Sequence, residues 1–404
     1  RIFMPKKLIS VLLTVLMIIS LLPVSLFAQE STSAFSDMPA GETGQMLQRA
    51  VDNGLLGGMP DGTIRPDDSL TRAQLAAIIN RAFGSASKAD VSRFSDIKET
   101  DWYYQDIAKA VKMGTLVGEN GLMQPNRTIT KQEAFAILTR AFKLPGGSVE
   151  DLKSFADNSQ VSDWAKQVIA AIVKGGYYAG VNGKLEAQKA ITRAEFASVM
   201  DKLVAQYIKK AGVYTGNDLV KKGNILISVP DVTLKDLTIN GDLIIGDGVG
   251  DGDVILENVT INGRLVVRGG GENSIHIIGK SSVGTVIVAR VEGVVRVAVE
   301  NGADVDVIII DDGSDDVVIE GTINEVQIKA EDIVVTANNA TIKKVSVEGE
   351  KTVFNVSEGS VIDNANLNSK AKLNNKGIIK NLNNDNASSG SSSGGGGGGN
   401  SGGS

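Results

Sequence analysis

The stretch ITRAEFASVM (residues 191–200) opens a helix in a way that this chain uses three times. LTRAQLAAII (70–79) and ITKQEAFAIL (129–138) share its order of a threonine, then a cation, then Glu or Gln two positions further on. A threonine followed three residues later by Glu or Gln is typical of a capping box, in which both side chains satisfy N–H groups at a helix start. The three stretches therefore predict three helices with the same N-terminal cap.

A second landmark keeps nearly the same period. Phe-Ser-Asp at Phe35 recurs at Phe94 and, as Phe-Ala-Asp, at Phe155, and these spacings are 59 and 61 residues. Each unit has an amphipathic first helix, such as WYYQDIAKAVKMG (102–114), then a Gly-rich turn and the capped second helix. The helical repeats are predicted at residues 29–88, 89–147 and 148–208.

Capping does not explain the cation at the first helical position, because the helix dipole already places positive potential there. Arg72, Lys131 and Arg193 occupy this position in the three repeats. In one interpretation the cation and the free N–H groups bind an external carboxylate or phosphate. In the other, each cation pairs with a carboxylate of a neighbouring repeat. Asp37, Asp96 and Asp157 are examples of such carboxylates.

The three repeats resemble a tandem of surface-layer homology domains over about residues 35–204. The features that carry the resemblance are the early F-x-D, a Trp near the first helix, a turn with DG or NG, and a second helix opened by T-R-A-E. The resemblance implies an all-α, pseudo-threefold bundle on a bacterial cell wall. In the grooves between repeats it implies binding of a secondary cell-wall polysaccharide that carries an acidic pyruvate ketal. The residues it assigns to binding are Arg72, Lys131, Arg193, Trp102, Trp164, Asp37, Asp96 and Asp157.

The first two repeats depart from the family pattern. The first repeat lacks the Trp, and the second has Lys131 where Arg is usual. Lys is a point charge without the planar fork of Arg, so a bidentate carboxylate contact is lost there. Trp102 and Trp164 also have an alternative interpretation as core residues of the first helices. We therefore expect the three grooves to differ in strength.

Beyond a linker predicted at 209–228, the apolar residues alternate as they do in strands. DVTLKDLTINGDLII (231–245) reappears as DVILENVTINGRLVV (253–267), at an offset of 22 residues. Another shift of 22 aligns Val283, Ile287 and Arg290 with the second copy. An all-β region at 229–384 is predicted, as a parallel β-helix whose stacked coils place like residues in ladders. The Asn-Gly pairs favour the alternative, an antiparallel meander with hairpin turns.

Composition indicates where the protein is located and excludes several classes of function. The net charge of −6 argues against a nucleic-acid binder, and the absence of cysteine excludes disulfides and thiolate sites. Two lysines before a long apolar run predict a signal peptide at 1–28, with no membrane span after its cleavage. Residues 385–404 have the composition of a flexible Gly/Ser linker.

These features predict an exported, non-enzymatic protein of the cell wall, with no cofactor, that displays its β-region as an S-layer component. Lateral self-association is left open. The acidic stretches 246–253 and 311–316 supply carboxylates for an alternative, a polysaccharide-degrading β-helix enzyme or a Ca²⁺ site. A second alternative is an adhesin stalk that lacks its C-terminal domains.

Overall fold

The computed structural model describes residues 35–384 except 221, 301 and 312–315. The signal peptide predicted at 1–28 and the linker predicted at 385–404 lie outside the described residues. Helices occupy the N-terminal part of the described chain, and a β-solenoid of about nine turns follows from residue 206 to residue 383.

The helical part contains two α-helices in each repeat. The helices are α1 (Gly41–Asp52), α2 (Arg72–Phe83), α3 (Tyr104–Lys112), α4 (Lys131–Ala141), α5 (Lys166–Lys174) and α6 (Arg193–Leu203). The predicted capping boxes are confirmed at the starts of α2, α4 and α6. Short 3₁₀ helices at Val149–Leu152, Asn158–Gln160 and Asp163–Ala165 precede α5.

A ring of backbone hydrogen bonds joins the segments that enter the three capped helices. Leu70 N donates to Ile191 O, Ile191 N donates to Ile129 O, and Ile129 N donates to Leu70 O, at 2.9–3.0 Å. All three side chains are buried in the common helical core. Each repeat therefore contacts both of the others at this point.

The β-solenoid is built from parallel strands alone. The strands are β1 (Gln206–Ile208), β2 (Gly212–Thr215), β3 (Ile225–Ile227), β4 (Val232–Ile239), β5 (Leu243–Ile245), β6 (Val254–Val267), β7 (His276–Ile278), β8 (Ser282–Val288), β9 (Val295–Val299), β10 (Asp304–Ile310), β11 (Val317–Ile328), β12 (Val334–Val347), β13 (Val353–Val356), β14 (Val361–Leu367), β15 (Lys372–Asn375) and β16 (Ile378–Asn384).

Like residues stack in the solenoid, as the parallel β-helix prediction requires. One inward ladder is β-branched through eight coils: Ile239, Ile261, Val283, Val305, Ile323, Ile342, Ile362 and Ile379. The hairpin alternative is wrong, because β4 and β5 on either side of Asn240 and Gly241 each pair in parallel with β6, and Asn262 and Gly263 lie within β6. Asn262 Nδ2 donates to Asn240 Oδ1 at 2.7 Å, so equivalent amides of adjacent coils bond to each other.

The offset of 22 residues does not persist along the solenoid. Val283 pairs with Ile261 as predicted, but Leu265 pairs with Val286 and not with Ile287, because the register shifts after Ile261. Strand β8 lacks the Asn-Gly corner and needs one residue fewer. Between β10 and β11 the offset falls to 18 residues, from Val305 to Ile323.

The solenoid begins before the segment that was predicted as a linker at 209–228, because β1 at the end of the predicted third repeat already pairs with β3. Strands β2 and β3 lie within that segment, and β3 stacks on β5. Alternation on β3, β5 and β6 points Leu226, Ile244 and Val266 outward, yet each is at most 1% exposed because the helical region covers this face. The two regions therefore share one apolar contact.

Glycine permits the closest approach between the two regions. Gly84 ends α2 with φ of +70°, and a Cβ there would lie 2.7 Å from Ser228 O. A larger residue would be strained by its conformation and would collide with the solenoid backbone. The helical region thus contacts the solenoid at the C-terminal end of α2.

Candidate functional site

The helix starts that were predicted as anion sites have no free N–H groups in the first turn. Arg193 N donates to Asp68 O at 3.0 Å, and Ala194 N donates to Pro66 O at 2.9 Å. The third N–H, of Glu195, bonds to the capping Thr192. The starts of α2 and α4 have the same pattern. The expectation that these N–H groups bind an external anion is wrong, because neighbouring repeats already satisfy them.

The two motif arginines donate hydrogen bonds to backbone carbonyls in the Gly-rich turn of a neighbouring repeat. Arg72 Nε and Nη2 donate to Met123 O and Val117 O, both at 2.9 Å. Arg193 makes the equivalent bonds to the first repeat, with Ile64 O and Gly57 O, both at 2.7 Å. Both arginines are at least 91% buried. Each therefore holds together two repeats at a groove.

Lys131 differs from the two arginines because carboxylates enclose it. Its Nζ lies 3.0 Å from Glu186 Oε2 and 2.7 Å from Glu195 Oε1, and the side chain is 1% exposed. Burial alone would lower the pKa of Lys131, but the hydrogen bonds to Glu195 and Glu186 outweigh it and raise that pKa. The cation is fully neutralised where it lies.

The early aspartates do not pair with these cations, so the specific ion pairs proposed from the sequence are wrong. Asp37 accepts hydrogen bonds from the backbone N–H groups of Ile64 and Arg65, at 2.6 and 2.8 Å. Asp96 and Asp157 accept the equivalent pairs in their own repeats. Asp37 and Asp96 therefore fix the turns whose carbonyls accept from the motif arginines, and Asp157 fixes the turn that carries Glu186, a partner of Lys131. A role in ligand binding stays a prediction for all three.

Arg72 lies in a cleft of about 240 Å³, here called the Arg72 groove. One wall is a face of α4, formed by side chains at helical spacing of i, i+3, i+4 and i+7. A second wall is the turn at 116–124, and Trp164 of the third repeat completes the rim. The α4 residues in this wall are Glu133, Ala136, Ile137 and Arg140.

The groove carries more positive than negative charge. Its cations are Arg72, Arg127 and Arg140, and its carboxylates are Glu119 and Glu133. Arg127 lies 2.5 Å from Glu133. Burial tends to raise the pKa of Glu133, but hydrogen bonds from Arg127 and from the helix cap outweigh it and lower that pKa to about 2. Glu133 is therefore ionised, and one net positive charge remains for an anionic ligand.

Both tryptophans are exposed, so their interpretation as core residues is wrong. Trp164 is 55% exposed and Trp102 is 62% exposed. Trp102 contacts the ring of Tyr103 edge-on, with centroids 5.4 Å apart. The structure brings Trp164 together with Arg72 in one groove.

Sequence analysis missed Arg140, which is an exposed cation that lines the groove. Its Nη1 donates to Thr115 O at 3.3 Å, and Arg81 makes the matching bond to Leu55 O. The signal was present, because Arg81, Arg140 and Lys202 each follow the motif cation by nine residues. A search for cations beyond the helix start would have found it.

The acidic stretches are engaged within the protein where the structure describes them. Asp247 pairs with Arg268 at 2.8 Å, Asp251 with Arg290 at 2.5 Å, and Asp311 with Lys143 at 3.2 Å. Residues 312–315 lie outside the described part. Over the described residues, no group of three or more His, Asp or Glu side chains is arranged to hold a metal ion.

The comparisons with known proteins agree with the helical repeats. A family model of the S-layer homology domain matches residues 34–76 and 93–135. The chain is 35% identical over 170 residues to the surface-layer 125 kDa protein of Lysinibacillus sphaericus, covering 41% of this chain and 14% of that protein.

Two further relatives differ in kind. Exoglucanase XynX of Acetivibrio thermocellus is 32% identical over 170 residues, which are 41% of this chain and 16% of the enzyme. S-layer protein EA1 of Bacillus anthracis is 27% identical over 240 residues, which are 58% of this chain and 25% of that protein. The chain thus spans a quarter or less of the length of these relatives.

These matches identify a cell-surface protein that is anchored to the cell wall. More particularly, it carries S-layer homology sequence in its helical region and continues as a parallel β-solenoid. Among the residues that the structure describes, no helix is long and apolar enough to cross a membrane.

Proposed function

We propose that the three helical repeats form a pseudo-threefold anchor that binds an acidic, pyruvylated secondary cell-wall polysaccharide without a covalent bond. The Arg72 groove carries this proposal, because it gathers three arginines and an exposed Trp164 around one cleft. A pyruvate ketal supplies a carboxylate for the arginines. The sugar ring supplies an apolar face for the indole.

The third repeat belongs to the anchor in this proposal. Its Arg193 repeats both carbonyl bonds of Arg72, and the ring of Leu70, Ile129 and Ile191 relates the repeats cyclically. The Arg193 groove then binds the same ligand class, with Trp102 as the aromatic residue that corresponds to Trp164. The Lys131 groove is a structural contact, because two glutamates neutralise its cation and the first repeat lacks the Trp.

The solenoid is the displayed module of this anchor, as in a component of an S-layer, and lateral self-association stays a prediction. We propose no catalytic role for it. The match to the exoglucanase extends over only 16% of that enzyme, and Asp311 pairs with Lys143.

Binding of the full chain to purified wall polysaccharide tests the proposal. Trp164→Ala should weaken binding of a short pyruvylated fragment about tenfold, because a half-exposed ring loses its stacking contact. Val213→Ala is the matched control, since Val213 is an exposed apolar residue on the solenoid. Equal binding of the native and the depyruvylated fragment would contradict the proposed recognition of the ketal.

A further inference from the structure

Three arginines from three different elements hold the segment 113–117, which leads into the turn that lines the Arg72 groove. Arg72 donates to Val117 O at 2.9 Å, and Arg140 donates to Thr115 O at 3.3 Å. The third is Arg268, which directly follows β6 of the solenoid and donates through Nη2 to Met113 O at 3.0 Å. The groove and the solenoid therefore bind the same short segment of backbone.

Arg268 is itself held in one orientation. Its side chain is 1% exposed, its Nε lies 2.8 Å from Asp247 Oδ2, and its guanidinium lies 5.6 Å from the ring centroid of Phe83. A buried, hydrogen-bonded ion pair has little freedom to reorient. Met113 is the C-cap of α3, where a cation also complements the negative end of the helix dipole.

The solenoid contacts the matching segment of each repeat through a different side chain. In the first repeat, Lys209 Nζ donates to Asn53 O at the C-cap of α1. In the third, Asn224 Nδ2 donates to Tyr177 Oη at 3.4 Å. Each repeat thus contacts the solenoid near the end of its first helix, and in the second repeat the contact is made by Arg268, which is held by an ion pair.

We propose that Arg268 is a positioning residue for the Arg72 groove. Through Arg268, the docked solenoid affects the affinity of a groove whose lining residues all belong to the helical region. This inference rests on the proposed polysaccharide binding. Binding groups must be held within about 0.5 Å of their productive geometry. Losing the bond to Met113 O releases the end of α3 and lets the Thr115 and Val117 carbonyls move, and with them Arg140 and Arg72.

The test uses the full chain and a short pyruvylated fragment of wall polysaccharide in calorimetric titrations. Arg268→Gln should weaken binding by about three- to tenfold. Arg290→Gln is the matched control, since Arg290 is also buried in the solenoid but donates hydrogen bonds to Gly250, Asp251 and Glu292. The control should leave affinity unchanged. In an Arg140→Gln background, Arg268→Gln should cause a smaller further loss than in the unchanged protein, because Arg268 acts through the segment that Arg140 also holds.

The outcomes separate this inference from the function it rests on. If Trp164→Ala weakens binding while Arg268→Gln does not, or if the losses from Arg268→Gln and Arg140→Gln multiply in full, the positioning role is overturned and the anchor function stands. If neither variant changes affinity, the proposed function fails. If the Arg268→Gln chain melts below the assay temperature, Arg268→Lys, which keeps the cation, carries the same test with a smaller expected loss.

Discussion

Replacing Lys131 with Met decides whether this residue is a ligand cation or a structural one. The substitution keeps the apolar stem and removes the ammonium that lies between Glu186 and Glu195. Glu195 then loses its cation, while Glu186 keeps Lys189, whose Nζ lies 2.5 Å from Glu186 Oε1. Removing one partner of a buried ion pair costs about 3–5 kcal/mol. We expect about 3 kcal/mol, because the two glutamate side chains are 19% and 26% exposed and keep part of their hydration.

Differential scanning calorimetry of the full chain measures this loss. For a region of this size about 3 kcal/mol corresponds to a decrease in Tm of roughly 6–12 °C. Adding Glu186→Gln and Glu195→Gln to Lys131→Met should restore most of the decrease, since no unpaired carboxylate remains and Lys189, which loses Glu186, is 69% exposed. Arg65→Met is the surface control, because Arg65 pairs with Asp61 while 47% exposed, and its Tm should change little.

Titration of the same variant with the polysaccharide fragment measures whether Lys131 also contributes to ligand binding. We expect Lys131→Met to bind the pyruvylated fragment as the unchanged protein does, at a temperature where both are folded. An unchanged Tm together with a large loss of binding would refute the reasoning. Lys131 would then be a ligand cation, as its position at the helix start predicted.

Three further substitutions test other contacts. Arg193→Ala should lower the free energy of unfolding by about 2–4 kcal/mol in denaturant titrations, because two carbonyls lose their buried donor, and should also weaken fragment binding. Glu133 has a pKa of about 2 against an ordinary 4.5, so its contribution to stability is complete above pH 4.5 and is lost as the pH falls towards 2. Melting curves of the unchanged protein and of Glu133→Gln should therefore converge at low pH. Phe354→Ala in the solenoid core should cost about 3–5 kcal/mol, and a smaller loss by denaturant titration would indicate a core that collapses around the gap.

The elements of the fold could be predicted because their signals are local. A capping box needs only two side chains three residues apart, and all three boxes form as the sequence indicates. Alternation predicts strands, and the return of like residues at an offset of 22 favoured stacked coils over hairpins. The register after Ile261 was missed because the loss of one residue in β8 shifts the phase of the alternation, and a fixed offset of 22 does not allow for such a loss.

The contacts of the candidate site could not be predicted because they join different repeats. Nothing within the third repeat indicates that Arg193 binds the carbonyl oxygens of Gly57 and Ile64, which lie more than a hundred residues earlier. The same holds for Ile244 and Val266, whose outward direction was evident but whose burial depends on the docked helices. Periodicity gives the direction of a side chain, and only the tertiary structure gives its partner.

The ring of Leu70, Ile129 and Ile191 also constrains the order of folding. Its closing bonds join positions 70 and 191, so contact between the first and last repeats must wait for nearly the whole helical region. Closing so long a loop is slow relative to forming one helix pair. A chain that stops before residue 191 keeps an unpaired backbone edge at Leu70. The three repeats therefore mature together, and none of them can be removed as a self-contained module.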